Sequence, residues 1–234
     1  MRTIRPDHSL TRQVYDSIRA SIIRGELTPG SLHSVQELAD VLGVSRTPVR
    51  EALIDLSAQG MVRFERNRGV RILQTSLHDL EEIFALRLLL EVPAAHVAAE
   101  QITDAALRSL RREFAAMERA AQADDEQTLM EHDRKFHGII LEASGNRRLA
   151  GTVDRLRDLV LVRGVSTAGR SRSLPSIVEE HREVLGSMER RDAPASARAL
   201  REHILHTAEL LLSQEHEGGP GSGAGRWAEL VRFD

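Results

Sequence analysis

Asp133 and His137 stand four residues apart in a stretch with helical periodicity, so both project from one face of one helix. His181 and His203 fall in two later stretches that also read as helices. If those three helices pack antiparallel, all four side chains can be aimed into one cavity. Three imidazoles and one carboxylate suit a borderline divalent cation such as Zn²⁺, Ni²⁺ or Mn²⁺, with the remaining positions open to water or a ligand. An Asp-x-x-x-His pair is also common on solvated helix faces, and a lone His is usually a surface or satisfied core residue. Spacing leaves both readings open. Imidazole coordinates only when neutral, so metal affinity should fall as the pH drops through roughly 6.5.

A second set of residues has the chemistry of nucleic-acid contact. The run from Leu38 to Leu53 reads as two short helices joined by a tight turn. Ala39 is small enough for close crossing, and Gly43 tolerates the positive φ of the turn. Ser45 is a good N-cap for the second helix, and Pro48 falls in its first turn. Val49, Ala52, Leu53 and Leu56 share an inward face. Arg46 and Arg50 lie four apart on another face with Thr47 beside them. Two guanidiniums and two hydroxyls at a helix N-terminus suit phosphates and guanine edges. An ordinary capped surface helix is the plainer alternative for any part of this run. After Gly60, Val62 and Phe64 alternate with Arg63 and Glu65, Arg66-Asn67-Arg68-Gly69 makes a turn, and Val70 and Ile72 follow. This is a β-hairpin with an apolar face and a basic tip. It either closes a small domain, serves as a DNA-contacting wing, or does both.

The elements that must position these groups follow from periodicity. A first helix covers roughly Thr11 to Arg24, with Val14, Ile18 and Ile22 in one stripe. Residues 1–74 form one domain. From 75 to 216 no strand pattern appears, and six helices are expected: 77–101, 104–123, 125–143, 146–165, 173–190 and 194–214. Pro93 should kink or break the first of them. Short links such as Ser144-Gly145-Asn146 imply antiparallel neighbours and an all-α bundle. Residues 217–234 are a flexible Gly-rich tail, whose Trp227 end either docks or stays loose. The fold class is mainly α.

Composition sets limits. Aromatics are only 3% of the 234 residues, so Ala, Leu, Val and Ile must supply the core. No residue is cysteine, which excludes a disulfide scaffold and fits a cytoplasmic location. Residues 1–20 lack a signal-peptide pattern. The most apolar stretch, Ile83 to Ala99, is broken by Arg87 and Glu91, so no membrane partner is expected. Net charge is −3, but it is unevenly divided. Residues 1–74 hold 11 Arg against 8 Asp and Glu; the remainder holds 21 basic against 27 acidic residues. A mildly basic module beside an acidic one fits a DNA-binding domain with a companion, and the small excess implies that binding needs two copies.

Residues 10–74 resemble the winged helix-turn-helix of the GntR family of bacterial transcription regulators. The resemblance is carried by Pro29-Gly30, Leu38-Ala39, the run Leu42-Gly43-Val44-Ser45-Arg46-Thr47-Pro48-Val49-Arg50-Glu51-Ala52-Leu53, and the Arg66-Asn67-Arg68-Gly69 wing. It implies DNA contacts from Ser45, Arg46, Thr47, Arg50, Arg66, Asn67, Arg68 and Gly69, with Gln36 near a position that often contacts backbone or base. His33 and Val35 depart from the family's usual Leu and Glu. Residues 78–212 resemble the FCD effector-binding domain of the FadR subfamily, in the six-helix, VanR-like variant. Here Asp133-Arg134-Lys135-Phe136-His137, followed by Ser144-Gly145-Asn146, matches the family's motif, and His181 and His203 match its later ligands. The resemblance implies that Asp133, His137, His181 and His203 hold a divalent metal ion. It also implies a small carboxylate effector, aided by an Arg on the domain's first helix. Arg87 stands there, either as that clamp or paired with Glu91 at i+4; Arg157 and Arg163 are further candidates.

The function expected is a cytoplasmic, homodimeric transcription regulator and not an enzyme. It would repress from a palindromic double-stranded DNA operator in response to a small organic acid. A direct metal sensor is the first alternative. A metal-dependent enzyme is the second, although no additional general base or nucleophile motif is present.

Overall fold

The computed structural model describes residues 10–162 and 166–215. The tail and Arg163 lie outside the described residues. The chain divides into two compact units, one of residues 1–76 with 158–165, the other of residues 77–157 with 166–234. Among the described residues the first unit therefore gains the segment 158–162, which sequence reading placed in the helical half.

In the first unit the order is α1 (Leu10–Ile23), β1 (Leu32–His33), α2 (Val35–Leu42), α3 (Arg46–Ala58), β2 (Val62–Glu65) and β3 (Gly69–Ile72). Ser34 and Glu37 form a capping box at the start of α2, and Gly43 ends it with φ 66°. Behind α3, the Met61 N–H reaches the Leu56 carbonyl and the Gly60 N–H reaches Ser57. That is the Schellman closure Gly60 permits at φ 75°. Val14, Ile18 and Ile22 of α1 meet Val49, Ala52, Leu53 and Leu56 of α3 in one core with Val62, Val70 and Ile72.

The sheet has the order β1-β3-β2, all antiparallel. The short β1 was not foreseen, since two residues carry no period. Its closeness explains Gly69: a Cβ there would sit 2.2 Å from the His33 carbonyl oxygen, and φ is 121°. Phe64 corrects the expected alternation. It is 40% exposed, whereas Val62 is buried, because the outer half of the hairpin extends past the core.

The second unit holds six helices among the described residues: α4 (Leu77–Gln101), α5 (Asp104–Gln122), α6 (Glu126–Ala143), α7 (Arg147–Val162), α8 (Leu174–Glu189) and α9 (Ala193–Glu215). Thr103, Asp125 and Ser173 cap α5, α6 and α8 through their side chains. α4 packs on α9, α5 on α6 and α8, and α8 on α9. Buried alanines of α4 (Ala94, Ala95, Ala98, Ala99) and of α9 (Ala197, Ala208) let these helices approach closely. α4 is not broken by Pro93 but runs through it. The boundary between the two units falls within α7, between Arg157 and Asp158.

Candidate metal centre and DNA-reading surface

α6 presents Asp133 and His137 one turn apart, α8 presents His181 and α9 presents His203. All four are buried, and one ligand atom from each lies within 4.8 Å of the others. His181 Nε2 is 2.9 Å from Asp133 Oδ1, and His137 Nε2 is 3.7 Å from the same oxygen. The two Nε2 atoms of His137 and His181 are 3.2 Å apart. Phe136, packed edge-on against His181 at 5.3 Å between ring centroids, lines the site with apolar surface.

Two of the three imidazoles are oriented through their other nitrogen. His181 Nδ1 donates to the Ile177 carbonyl at 2.8 Å, and His203 Nδ1 to Glu180 Oε2 at 2.9 Å. His137 Nδ1 lies 3.3 Å from Glu91 Oε2, off the line of a good hydrogen bond. With its proton on Nδ1, His181 turns its Nε2 lone pair toward Asp133 Oδ1 at 2.9 Å, which is repulsive unless a cation sits between them. The residues therefore fit a metal ion.

Electrostatics agree. Burial pushes His137 down to about 4, helped by the Arg157 charge, and burial with His181 alongside pushes His203 down to about 3. Both rings are neutral at physiological pH, as ligation requires. Burial opposes the Asp133 charge, but Arg157, His137 and His181 outweigh it and hold the carboxyl well below its usual range. Burial likewise opposes Glu180, yet the His203 hydrogen bond and the Arg172 charge hold it down to about 2.

Arg87 pairs with Glu91, Nε to Oε1 at 2.6 Å, and both side chains are buried. Arg157 donates from Nη2 to Asp133 Oδ2, while its Nη1 is buried without a hydrogen-bond partner. Glu91 and Glu180 were missed as supports of the site. Glu91 was read only as a partner for Arg87. Glu180 directly precedes His181 in sequence but serves His203, a neighbour only in three dimensions.

On the other unit, Arg46, Thr47 and Arg50 are exposed on α3, and its buried side is Pro48, Val49, Ala52, Leu53 and Leu56. Ser45 takes the N-cap position but its hydroxyl makes no capping bond, so the expected side-chain cap is absent. The first N–H groups of α3 are thereby left for another acceptor. Gln36 is exposed and bonded to Asp40 at 2.7 Å. Arg66, Asn67 and Arg68 are exposed at the wing tip, with Asn67 at φ 58° and Arg68 Nη1 3.1 Å from Glu65. Gly69 is half-buried against β1. Among the described residues no helix is long and apolar enough to cross a membrane.

A basic recognition helix with a wing, on a chain that also carries a buried His₃Asp cluster in a helical bundle, defines a DNA-binding regulator with a second functional domain. The profile of the gntR family of bacterial regulatory proteins matches residues 10–72, and that of the FCD domain matches residues 82–206. The chain belongs to the GntR family of transcription regulators and carries an FCD domain. It is 27% identical to the uncharacterized HTH-type transcriptional regulator YdhC of Bacillus subtilis (strain 168), over 88% of this chain and 92% of that protein. It is 29% identical to a probable D-xylose utilization operon transcriptional repressor of Paenarthrobacter nicotinovorans, over 90% and 91%. Among solved structures, E. coli McbR/YncC has the same fold, with a TM-score of 0.79 at 24% identity over 89% of this chain and 99% of that one. These relatives are regulators, not enzymes.

Proposed function

We propose that this regulator is a metabolite-responsive repressor whose helical domain binds one divalent cation and a small organic acid. The observation that carries the reading is the convergence of Asp133, His137, His181 and His203 in a buried cluster, with His181 and His203 held through Nδ1. These four residues hold the cation, Zn²⁺, Ni²⁺ or Mn²⁺ by donor type. Once bound, it supplies a Lewis-acidic position for an effector carboxylate. Arg157 offers its unpartnered Nη1 to the same anion, and Arg87 takes part by holding Glu91 beside His137. Repression is supported by the name of the Paenarthrobacter relative.

Ser45, Arg46, Thr47, Arg50 and the wing residues Arg66, Asn67 and Arg68 contact the DNA, with Gln36 at the edge and Gly69 shaping the wing. The reading head has a small basic excess, so two copies on a palindrome are needed for useful affinity. The second copy packs on α4, where Leu86, Leu89 and Val97 leave an apolar stripe 47, 41 and 38% exposed on one helix face. Leu89→Asp should give a monomer by light scattering; an unchanged mass would move the interface elsewhere. A protein that binds the chromosome works in the cytoplasm.

Elemental analysis of protein purified without chelator or metal-affinity tag tests the centre. One divalent ion per protomer is expected, lost in His203→Ala, with DNA binding retained. Protein that takes up none on dialysis against Zn²⁺, Ni²⁺ or Mn²⁺ would refute the site.

A further inference from the structure

The outer face of α3 is divided by chemistry. At about 100° per residue, the exposed Arg46 and Arg50 form one edge, the exposed Glu51 and Asp55 the other, and Thr47 and Ile54 the ridge between them. The ridge stands opposite the buried Val49, Ala52, Leu53 and Leu56. Glu51 is turned aside, its Oε2 accepting from Thr11 Oγ1 of α1 at 2.8 Å. Ile54 differs from the other five. It is apolar, yet 51% exposed and no part of the core beneath the helix. It lies almost two full turns beyond Thr47 and one turn beyond Arg50, on the same strip. A helix seated in the major groove along that strip sets Ile54 against base edges further in than those facing Arg46.

We propose that Ile54 is a specificity residue of the DNA-reading surface and selects thymine through its 5-methyl group. The inference rests on the reading of Arg46 and Arg50 as groove contacts given above. The thymine methyl is the one apolar group that the bases present in the major groove; the rest are donors and acceptors. Isoleucine can neither donate nor accept. Opposite a polar base edge it strips water and returns no hydrogen bond, which is a net cost. Opposite a thymine methyl, both partners give up only apolar surface, and burying one methyl is worth about fourfold in affinity. Branching at Cβ holds the Ile54 side chain in one rotamer on a helix, so little freedom is lost on contact. The arginines on the adjacent edge suit guanine or phosphate, so thymine selection by Ile54 adds a base that they cannot choose.

The test uses the full chain and a duplex selected by the wild type from a random pool. Each thymine is replaced in turn by uracil, which removes the 5-methyl alone. At one position or more, the wild type should lose affinity about fourfold, and Ile54→Ala should lose none there. Ile54→Ala should bind the unmodified duplex about as weakly as the wild type binds the uracil duplex. Selection repeated with Ile54→Ala should no longer demand thymine at that position. An Ile54 with a merely structural role would lower binding to thymine and uracil duplexes alike, and that result overturns the proposal. So does a wild type indifferent to every uracil, or one whose uracil losses all persist in Ile54→Ala. If neither Arg46→Ala nor Arg50→Ala weakens specific binding, the reading of this helix face is itself refuted, and the inference with it.

Discussion

Removing Arg87 should destabilise the helical unit strongly, by an amount the geometry sets. Its side chain is 6% exposed and that of Glu91 is 0%, with 2.6 Å between Nε and Oε1. Burial alone would raise the Glu91 pKa, yet Arg87, with His137 and Arg157 behind it, holds the carboxyl below its usual range. Arg87→Ala strips the leading stabilising charge and leaves a carboxylate in an apolar interior. Breaking such a pair costs about 3–5 kcal/mol. At roughly 2–4 °C per kcal/mol for a chain of this size, the melting temperature should fall by on the order of 10 °C. The pH dependence should weaken as well. In the wild type the depressed Glu91 pKa makes its contribution present above the unfolded value and lost as the pH falls. In Arg87→Ala only His137 and Arg157 oppose burial, so the depression shrinks and less stability is lost on acidification. Arg87→Met with Glu91→Leu should be close to neutral, since it removes both charges and keeps the volume. Urea melts of metal-free protein across pH 5 to 8 read all three variants. A loss under about 1 kcal/mol for Arg87→Ala, the range of exposed pairs, would refute the assignment of this pair to the interior.

Arg46→Ala or Arg50→Ala should each cost ~1–3 kcal/mol of specific DNA binding if either makes a bidentate base contact, with folding unchanged, as measured by titration of duplexes selected from a random pool. Arg66→Ala and Arg68→Ala should instead weaken binding evenly across sequences and reduce its salt slope. Glu180→Gln should lower zinc affinity roughly 10–100-fold in a competition titration without touching a ligand, because it anchors His203 Nδ1. Zinc binding should persist to lower pH than free imidazoles would allow, because His137 and His203 are held neutral down to about 4 and 3. A binding curve that collapses at pH 6.5 would count against that burial. Metal-free protein should be least perturbed by these histidines above pH 6.5 and lose stability as the pH falls from there toward 4. In that window the unfolded chain binds protons that the folded one refuses.

Local chemistry is what the sequence by itself determined. The helix-turn-helix is written in neighbouring residues: the small Ala39, the left-handed Gly43, the inward stripe of Val49, Ala52, Leu53 and Leu56, and the outward Arg46 and Arg50. The six helices of the second unit lie within a few residues of where periodicity and turn residues place them, because both signals act within one element. Asp133 and His137 share a face for the same reason. Pro93 does not end its helix, which continues on both sides of the proline. Ser45 misled because cap propensity does not fix a rotamer. Only the tertiary structure decided which residues meet across elements. It set His181 and His203 beside the α6 pair, put Glu91 behind His137 and Glu180 behind His203, and laid the two-residue β1 against Gly69. It also gave the end of α7 to the unit that reads DNA. These pairings depend on how helices from distant parts of the chain pack, and burial, not residue type, turns Glu91, Arg157 and Asp158 from ordinary charges into structural ones.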